Sequence, residues 1–124
     1  MIKKYILNHI HKKIHNEQEF YKAYKIFFGT LVSGSRLKII NLLRKEEKNV
    51  SEIVGALKIS QPAVSHDLAR LKKCGFVNVK INKNFRYYSI NKETIKPLMD
   101  LIDVHMSKYC IHIIHEIKGD KRDG

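Results

Sequence analysis

Cysteine, proline and acidic residues are all scarce in this chain of 124 residues, which has two cysteines, two prolines and 12 acidic residues against 24 basic ones. Cys74 and Cys110 form neither a disulfide framework nor a Cys-x-x-Cys pair, so a reducing cytoplasm is the expected location. No apolar run approaches the roughly 20 residues of a membrane span. The start, MIKKYILNHIHKKIH, is too polar for a signal peptide. We therefore predict one cytoplasmic domain with no membrane partner.

Catalytic motifs are also missing from the sequence. It contains no phosphate-binding loop, no nucleophile elbow and no His-Glu-x-x-His pattern. Its carboxylates do not concentrate at any one segment that could form a pocket. We predict that the chain is not an enzyme, that it has no catalytic residues and that it takes no small organic substrate.

Positive charge is what the chain has in excess, with a formal net charge of +12 and a pI near 9.8. A surplus of this size favours polyanionic partners such as DNA, RNA or an acidic membrane face. Codon bias toward Lys, Ile and Asn explains a high lysine content equally well. The positions of the charges along the chain must therefore decide between a polyanionic partner and codon bias.

The hydrophobic pattern of the first half predicts three helices. Residues 1 to about 31 carry apolar side chains at three- and four-residue steps, and a second helix capped by Ser35 follows. A short third helix over residues 50–57 begins with Asn49 and Glu52 at the spacing of a capping box.

The stretch ISQPAVSHDLARLKKCGFV, residues 59–77, predicts a fourth, amphipathic helix. Ser60 can cap its first turn, where Pro62 is tolerated, and Gly75 can close its C-terminus. One side of this helix is apolar and would pack on the domain; its residues are Val64, Leu68 and Leu71.

After this helix the apolar period changes from helical to two. Residues 77–81 alternate, the Asn-Lys-Asn of residues 82–84 turns the chain, and residues 85–90 return it as a second strand. Asn91 is then expected to cap a long final helix that ends near Lys118. The fold class is mainly α with a small β-hairpin (α+β), in the order of a winged helix-turn-helix.

The fourth helix and the hairpin together indicate a double-stranded DNA partner. An outer helix face of small polar residues suits the major groove, which is about 12 Å wide. Residues 60–90 contain six basic residues against one acid, Asp67. We predict base-edge contacts from Gln61, Ser65, His66 and Arg70, a thymine-methyl contact from Ala63, and phosphate contacts from Lys83 and Arg86. Ser60 and Lys73 are two further predicted DNA-binding residues.

The residues SRLKIINLL, VSEIVGALKISQPAVSHDLARLKKCGFV and RYYSI, within residues 35–91, resemble the ArsR/SmtB family of bacterial and archaeal repressors. The resemblance implies a homodimeric repressor on a near-palindromic operator, with a ligand that lowers DNA affinity. It also implies dimerisation helices at 1–31 and 92–118 around the core at 35–91, before a tail at 119–124. Lys58 stands where the family commonly has a turn glycine, so it is expected to be left-handed at a cost near 1 kcal/mol.

The resemblance raises a divalent metal ion as one candidate effector. The helix VSEIVGAL has no cysteine, which argues against the family's thiolate sites for soft metals. Family zinc sensors use Asp-x-His with His-x-x-His or His-x-x-Glu, and the final helix offers similar ligands for Zn, Ni or Co, although its spacing is one helical turn shorter. These candidate ligands are Asp103, His105, His112, His115 and Glu116, with His11 and His15 as a weaker pair.

Other interpretations stay open at this point. The same histidines could rim an apolar dimer seam without binding metal, and the chain could be an architectural DNA-binding protein with no effector. A thiol switch between Cys74 and Cys110 would make the repressor redox-responsive, whereas the ordinary interpretation of both is small apolar packing. A winged helix can also bind a protein instead of DNA, a case that the basic fourth helix argues against.

Overall fold

The computed structural model describes residues 16–123, with side chains described as far as residue 117. It consists of six helices and a three-stranded antiparallel sheet of order β1-β3-β2 in this part of the chain. The elements are α1 (Glu17–Leu31), α2 (Gly34–Lys45), β1 (Lys48–Asn49), α3 (Val50–Leu57), α4 (Gln61–Lys73), β2 (Val77–Asn82), β3 (Phe85–Ile90), α5 (Ile95–Lys108) and α6 (Cys110–Asp123).

Helix α1 begins at Glu17, where the side chain of Asn16 accepts a hydrogen bond from the Glu19 N–H at 2.9 Å. The prediction of one continuous helix over residues 1–31 is wrong at Asn16, whose backbone is extended at φ −155° and ψ 171°. Residues 1–15, which include the candidate ligands His11 and His15, lie outside the described residues.

The cap predicted for α2 is wrong by two residues. Ser33, in extended backbone at φ −97° and ψ 126°, caps the helix and accepts from the Arg36 N–H at 3.3 Å. Ser35 lies inside the first turn, and its hydroxyl donates to the Asp67 carboxylate at 2.6 Å. The serine that the local pattern offered as a cap is thus used in a tertiary contact.

The junction from α3 to α4 agrees with the predictions. Asn49 and Glu52 form the capping box, with both hydrogen bonds at 2.9 Å. Lys58 ends α3 in the left-handed conformation, at φ 56° and ψ 40°. Three residues separate the two helices, and the Ser60 hydroxyl then accepts from the Ala63 N–H at 3.3 Å as the cap of α4.

The predicted hairpin is present, with Asn82 paired to Phe85 and only Lys83 and Asn84 in its turn. Lys83 has a φ of 58°, which places a positive φ at the first turn position. Gly75 also has a positive φ, 77°, where α4 passes into β2. The strand β1 extends the hairpin to a third strand through β3.

The core lies between α2, α3, α4 and the sheet. The predicted stripe of α4 is fully buried there, and Phe27 of α1 stacks on Phe76 with ring centroids 5.1 Å apart. This core fixes α4 by one side and leaves the other exposed. Its most buried side chains are Ile39, Ile40, Leu43, Ile53, Val64, Leu68, Leu71 and Phe76.

The single long final helix that we predicted is wrong: it is broken at Tyr109, whose φ and ψ are −126° and −66°. The Ser107 hydroxyl donates to the Val104 carbonyl at 2.8 Å, a side-chain bond that bends helices. Asn91 does not cap α5 directly, because its side chain accepts from the N–H groups of Glu93 and Thr94, in the turn before Ile95. The helical segment continues past residue 118, to Asp123.

Much of the apolar surface of α5 and α6 is exposed in the single chain. Its exposed apolar side chains are Leu101, Val104, Met106, Tyr109, Ile111, Ile113, Ile114 and Ile117. The first two turns of α5 reach the core, with Ile95 and Met99 buried in it and Leu98 and Ile102 packed against it.

Across residues 16–123, no helix on its own has the length and apolar character needed to cross a membrane. Helices α1 and α2 reach that length and composition only when they are taken together, and they meet at an angle of 77°.

Candidate nucleic-acid interface

The exposed side of α4 carries the residues that we predicted to contact DNA. Ser60, Gln61, Ser65 and His66 are exposed, and Ala63 is half-buried. Because α4 is held by its buried stripe, these side chains have a fixed register with respect to the core. The N-terminal half of the helix therefore presents small polar groups outward, which is the part of a recognition helix that reaches base edges.

The one acid between residues 60 and 90, Asp67, does not belong to that exposed surface. It is 6% exposed, and its carboxylate accepts from Ser35 at 2.6 Å and pairs with Arg36 at 3.3 Å. The exposed side of α4 therefore carries no negative charge. Asp67 follows the buried Val64 by three residues, so helical periodicity already predicts that it lies on the buried side of α4. Sequence reasoning did not use this signal.

Arg36 connects three helices, and sequence reasoning missed it. Its Nε donates to the Thr30 carbonyl at 2.7 Å, and a terminal nitrogen donates to the Gly29 carbonyl at 3.3 Å. These are carbonyls of the last turn of α1, where a cation is favourable. With the Asp67 pair, one guanidinium thus holds the end of α1, the start of α2 and the middle of α4 together.

A groove between α4 and the hairpin brings several predicted contacts together. Ser65, Ala69, Lys72 and Lys73 line it from α4, and Arg86 lines it from β3. Its volume is about 610 Å³. Val50 and Tyr88 complete this lining, which we name the α4–wing groove. Lys72 was not among the predicted contacts, although its charge and its place beside Lys73 were visible in the sequence.

Lys83 lies apart from this groove, at the exposed tip of the hairpin. The predicted phosphate-binding cations of the hairpin, Arg86 and Lys83, therefore occupy two separate positions. One lies where α4 meets the hairpin, and the other lies at the tip of the hairpin.

Arg70 has a partner that sequence reasoning did not foresee. Its Nε donates to the hydroxyl of Thr30 at 3.0 Å, and Thr30 is fully buried on α1. The Cys74 sulfur lies 3.3 Å from the same hydroxyl. The guanidinium of Arg70 is thus directed toward α1, and its predicted contact with a base edge stays a prediction.

The candidate metal ligands of the final helices are not brought together within one chain. In the described part of the chain, no group of three or more His, Cys, Asp or Glu side chains could hold a metal ion. The Asp103 carboxylate accepts from Arg44 at 2.7 Å, and the ring of His105 packs on Tyr109 at 4.8 Å. The break at Tyr109 also interrupts the face that His105 was expected to share with His112 and Glu116, while His115 is exposed on α6. Among the side chains that the structure describes, those of a single chain therefore do not assemble a metal site.

Arg44 joins α2 to α5 through two carboxylates. It donates to Asp100 at 2.6 Å as well as to Asp103, and Lys96 also pairs with Asp100 at 3.2 Å. Two hydrogen bonds hold the pKa of Asp100 below its ordinary value of 3.8; the one from Arg44 has the larger effect and the one from Lys96 the smaller. The same two carboxylates raise the pKa of Arg44.

This cluster predicts a pH dependence that an Asp100→Asn variant should lack. Because the folded-state pKa of Asp100 lies below its unfolded value, its contribution is complete above the unfolded pKa. That contribution is lost as the pH falls through the folded pKa. The difference in free energy of unfolding between wild type and Asp100→Asn should thus hold steady above about pH 5 and shrink below about pH 4. Urea denaturation at a series of pH values measures it, and an undiminished difference near pH 3 would contradict this role.

The two thiols lie in different surroundings. Cys74 is half-buried beside Thr30 and α4, whereas Cys110 is exposed at the start of α6. Both are free cysteines. A redox switch between them stays a prediction.

Comparison with known proteins gives the chain a family. Residues 33–79 match the model described as "Bacterial regulatory protein, arsR family". An uncharacterised HTH-type transcriptional regulator of Methanocaldococcus jannaschii is 34% identical over 89 residues, which are 69% of this chain and 97% of that protein. A transcriptional repressor SmtB homolog of Synechocystis is 30% identical over 83 residues, covering 66% of this chain and 62% of that protein.

A solved structure agrees with these sequence matches. It is the solution structure of a homodimeric winged helix-turn-helix DNA-binding domain from Mycobacterium bovis, described as a possible ArsR-family transcriptional regulator. The match has a TM-score of 0.70 at 26% identity and covers 77% of this chain and 89% of that one. The predictions of a winged helix-turn-helix and of a non-enzymatic regulator are confirmed by these relatives. The chain belongs to the ArsR family of DNA-binding transcriptional regulators.

Proposed function

We propose that this regulator is a homodimeric, sequence-specific repressor in which α4 enters the major groove and the hairpin follows the DNA backbone. The observation that carries this proposal is the surface charge of α4 and the hairpin. Six basic residues lie between residues 60 and 90, while the one acid there is buried against Arg36. Such a surface suits the phosphate backbone on both sides of a groove.

Base reading is assigned to the N-terminal half of α4. Gln61, Ser65 and His66 are exposed there and carry donors and acceptors for base edges, and Ala63 offers a methyl group for thymine. Phosphate contacts are assigned to the cations of the α4–wing groove, Lys72, Lys73 and Arg86, and to Lys83. Phosphate contacts set the register, and base contacts set the sequence.

The proposed dimer uses the terminal helices. The exposed apolar side chains of α5 and α6 need a cover, and a second copy of the chain is the partner that the homodimeric relative suggests. A two-fold axis would place two copies of α4 about one DNA turn apart, roughly 34 Å, on a near-palindromic operator. Helix α1 is expected to join this interface through its exposed aromatic residues Tyr21, Tyr24 and Phe28.

Fluorescence anisotropy of a labelled duplex from upstream of the protein's own gene tests the proposal. We expect the specific duplex to bind at least 1,000-fold (about 4 kcal/mol) more tightly than a scrambled duplex. Affinity should also fall steeply with salt. Equal affinity for both duplexes would favour an architectural protein, and no binding to either would favour a protein partner.

The same titration separates the candidate effectors. It is run with a chelator, with Zn²⁺, Ni²⁺ or Co²⁺, and with an oxidant in place of a reductant. A metal that weakens binding tenfold, about 1.4 kcal/mol of coupling, would support a metal site shared between two chains. A response to oxidant alone would support the thiols. If neither the metals nor the oxidant changes the affinity, the protein would be a repressor without a metal or redox effector.

Lys83→Asn is expected to weaken binding to all duplexes alike. Asparagine accepts the left-handed backbone of this position, so the turn is kept while the charge is lost. Losing one phosphate contact should reduce the slope of log affinity against log salt by about one unit. Salt titrations on the specific and scrambled duplexes measure both effects. A loss confined to the specific duplex would place Lys83 on a base instead.

A further inference from the structure

A cavity lies on the other side of α4, between it and α1. Ala23, Ile26 and Phe27 line it from α1, and Arg70, Lys73 and Cys74 line it from the end of α4. Its volume is about 400 Å³, within the range of small-molecule sites. We name it the α1–α4 cavity. Lys73 is the one lining residue to which the proposed function assigns a DNA contact, and the cavity itself has no part in those contacts.

The two walls of this cavity differ in chemistry. The α1 wall is apolar, while the α4 wall carries two cations and a thiol. None of its six lining residues is acidic. A ligand that matches both walls has an apolar body and one anionic end.

The cationic wall is partly fixed in place before any ligand arrives. Arg70 donates from Nε to the buried hydroxyl of Thr30, and that hydroxyl is itself held by the Ile26 carbonyl at 2.7 Å. A planar guanidinium that is oriented in this way suits a carboxylate, which it can bind through two parallel hydrogen bonds. An oriented side chain also loses less conformational freedom when the ligand binds.

Lys73 belongs to two sites at once. It lines the α1–α4 cavity and also the α4–wing groove on the DNA side. An anion in the cavity would therefore attract the Lys73 ammonium group, which in the groove would contact a DNA phosphate. Occupancy of the cavity and binding of DNA would compete for the same cation.

We propose that the α1–α4 cavity binds a small organic monocarboxylate with an apolar body, and that its occupancy weakens DNA binding. The binding step is independent of the proposed function. The effect on DNA rests on it, so the two steps are tested separately.

Binding is measured first, without DNA, through the reactivity of Cys74. Cys110→Ser leaves Cys74 as the single thiol, because the chain has two cysteines. Hexanoate, octanoate and benzoate serve as probes, and mass spectrometry follows alkylation by iodoacetamide. We expect at least one carboxylate to slow alkylation fivefold or more, and its uncharged alcohol analogue to have little effect. No protection by any of the three up to ~10 mM, or equal protection by the alcohol, would overturn the proposal.

Two α1 variants locate the site. Ala23→Leu narrows the cavity from its apolar wall by adding a bulky side chain there, and should abolish protection. Gln18→Leu introduces the same side chain at an exposed position of α1 that does not line the cavity, and protection should persist. Circular dichroism shows whether each variant is folded. Protection that survives in a folded Ala23→Leu variant would place the carboxylate elsewhere and overturn the site.

The effect on DNA is then measured by anisotropy with the carboxylate that protects Cys74. Saturation should weaken binding about tenfold in wild type and leave Ala23→Leu unaffected. Protection of Cys74 with unchanged DNA affinity would keep the site and overturn the competition. A chain that binds no DNA even without carboxylate would instead refute the proposed function, while the alkylation result would still stand.

Discussion

Asp67→Ala is expected to lower the free energy of unfolding by about 2–4 kcal/mol. The carboxylate is almost fully buried and accepts from Ser35 and Arg36, so its removal leaves the guanidinium without its anionic partner. Breaking a buried pair by removing one member usually costs 3–5 kcal/mol, and the lower bound here reflects the 18% exposure of the Arg36 side chain. Urea denaturation at one fixed protein concentration measures the loss.

Two further variants make this result specific to the buried pair. Ser35→Ala removes one hydrogen bond to the same carboxylate and should cost about 1 kcal/mol. Asp100→Ala removes an acid whose ion pairs lie at the surface, and this variant should lose clearly less stability than Asp67→Ala. If Asp67→Ala costs no more than Asp100→Ala, then Asp67 does not hold the helices together as we describe.

Asp67 also shows what the local pattern of a sequence can and cannot predict. The stripe of Val64, Leu68 and Leu71 was predicted because these apolar residues recur at three- and four-residue steps, the period of a helix. The pair between Arg36 and Asp67 joins residues that are 31 positions apart. No periodicity encodes such a contact, so only the packing of α2 against α4 reveals it.

Arg70 illustrates a second limit. Its place on α4 indicates an exposed side chain, and it is exposed, but a long side chain can turn toward any neighbour within its reach. The neighbour here is Thr30, forty residues earlier, whose position depends on how α1 packs. The same packing forms the α1–α4 cavity, which the sequence could not have predicted.

Two backbone conformations around α3 were predicted correctly. The left-handed Lys58 followed from the resemblance to the family, and the capping box of Asn49 and Glu52 followed from their spacing. The break at Tyr109 was missed because no proline or glycine marks it. The hydrogen bond from Ser107 to the Val104 carbonyl accompanies the break, but a serine within a helical pattern does not by itself predict one.

Ser65→Glu is expected to weaken binding to the specific duplex by about 100-fold, roughly 2.8 kcal/mol. Ser65 is exposed and lines the α4–wing groove beside Lys72 and Arg86. A carboxylate there repels the phosphates and the acceptors of base edges, since like charges at an interface cost several kcal/mol. The new carboxylate would also pair with Lys72 and Arg86, so that these cations would no longer contact the DNA phosphates. Anisotropy at one salt concentration measures the loss.

The control must add the same charge elsewhere, because every new acid reduces the net charge of the chain. Gln18→Glu does so at the exposed start of α1, where an acid is favourable for the helix, and DNA affinity should fall less than threefold. Ser65→Ala, which adds no charge, separates the lost hydrogen bond from the repulsion and should cost at most about 1.5 kcal/mol. Equal losses in Ser65→Glu and Gln18→Glu would mean that only total charge matters, and α4 would then lie outside the groove. A large loss for Ser65→Glu alone places the N-terminal half of α4 against DNA, because screening confines the effect of one charge to about 10 Å.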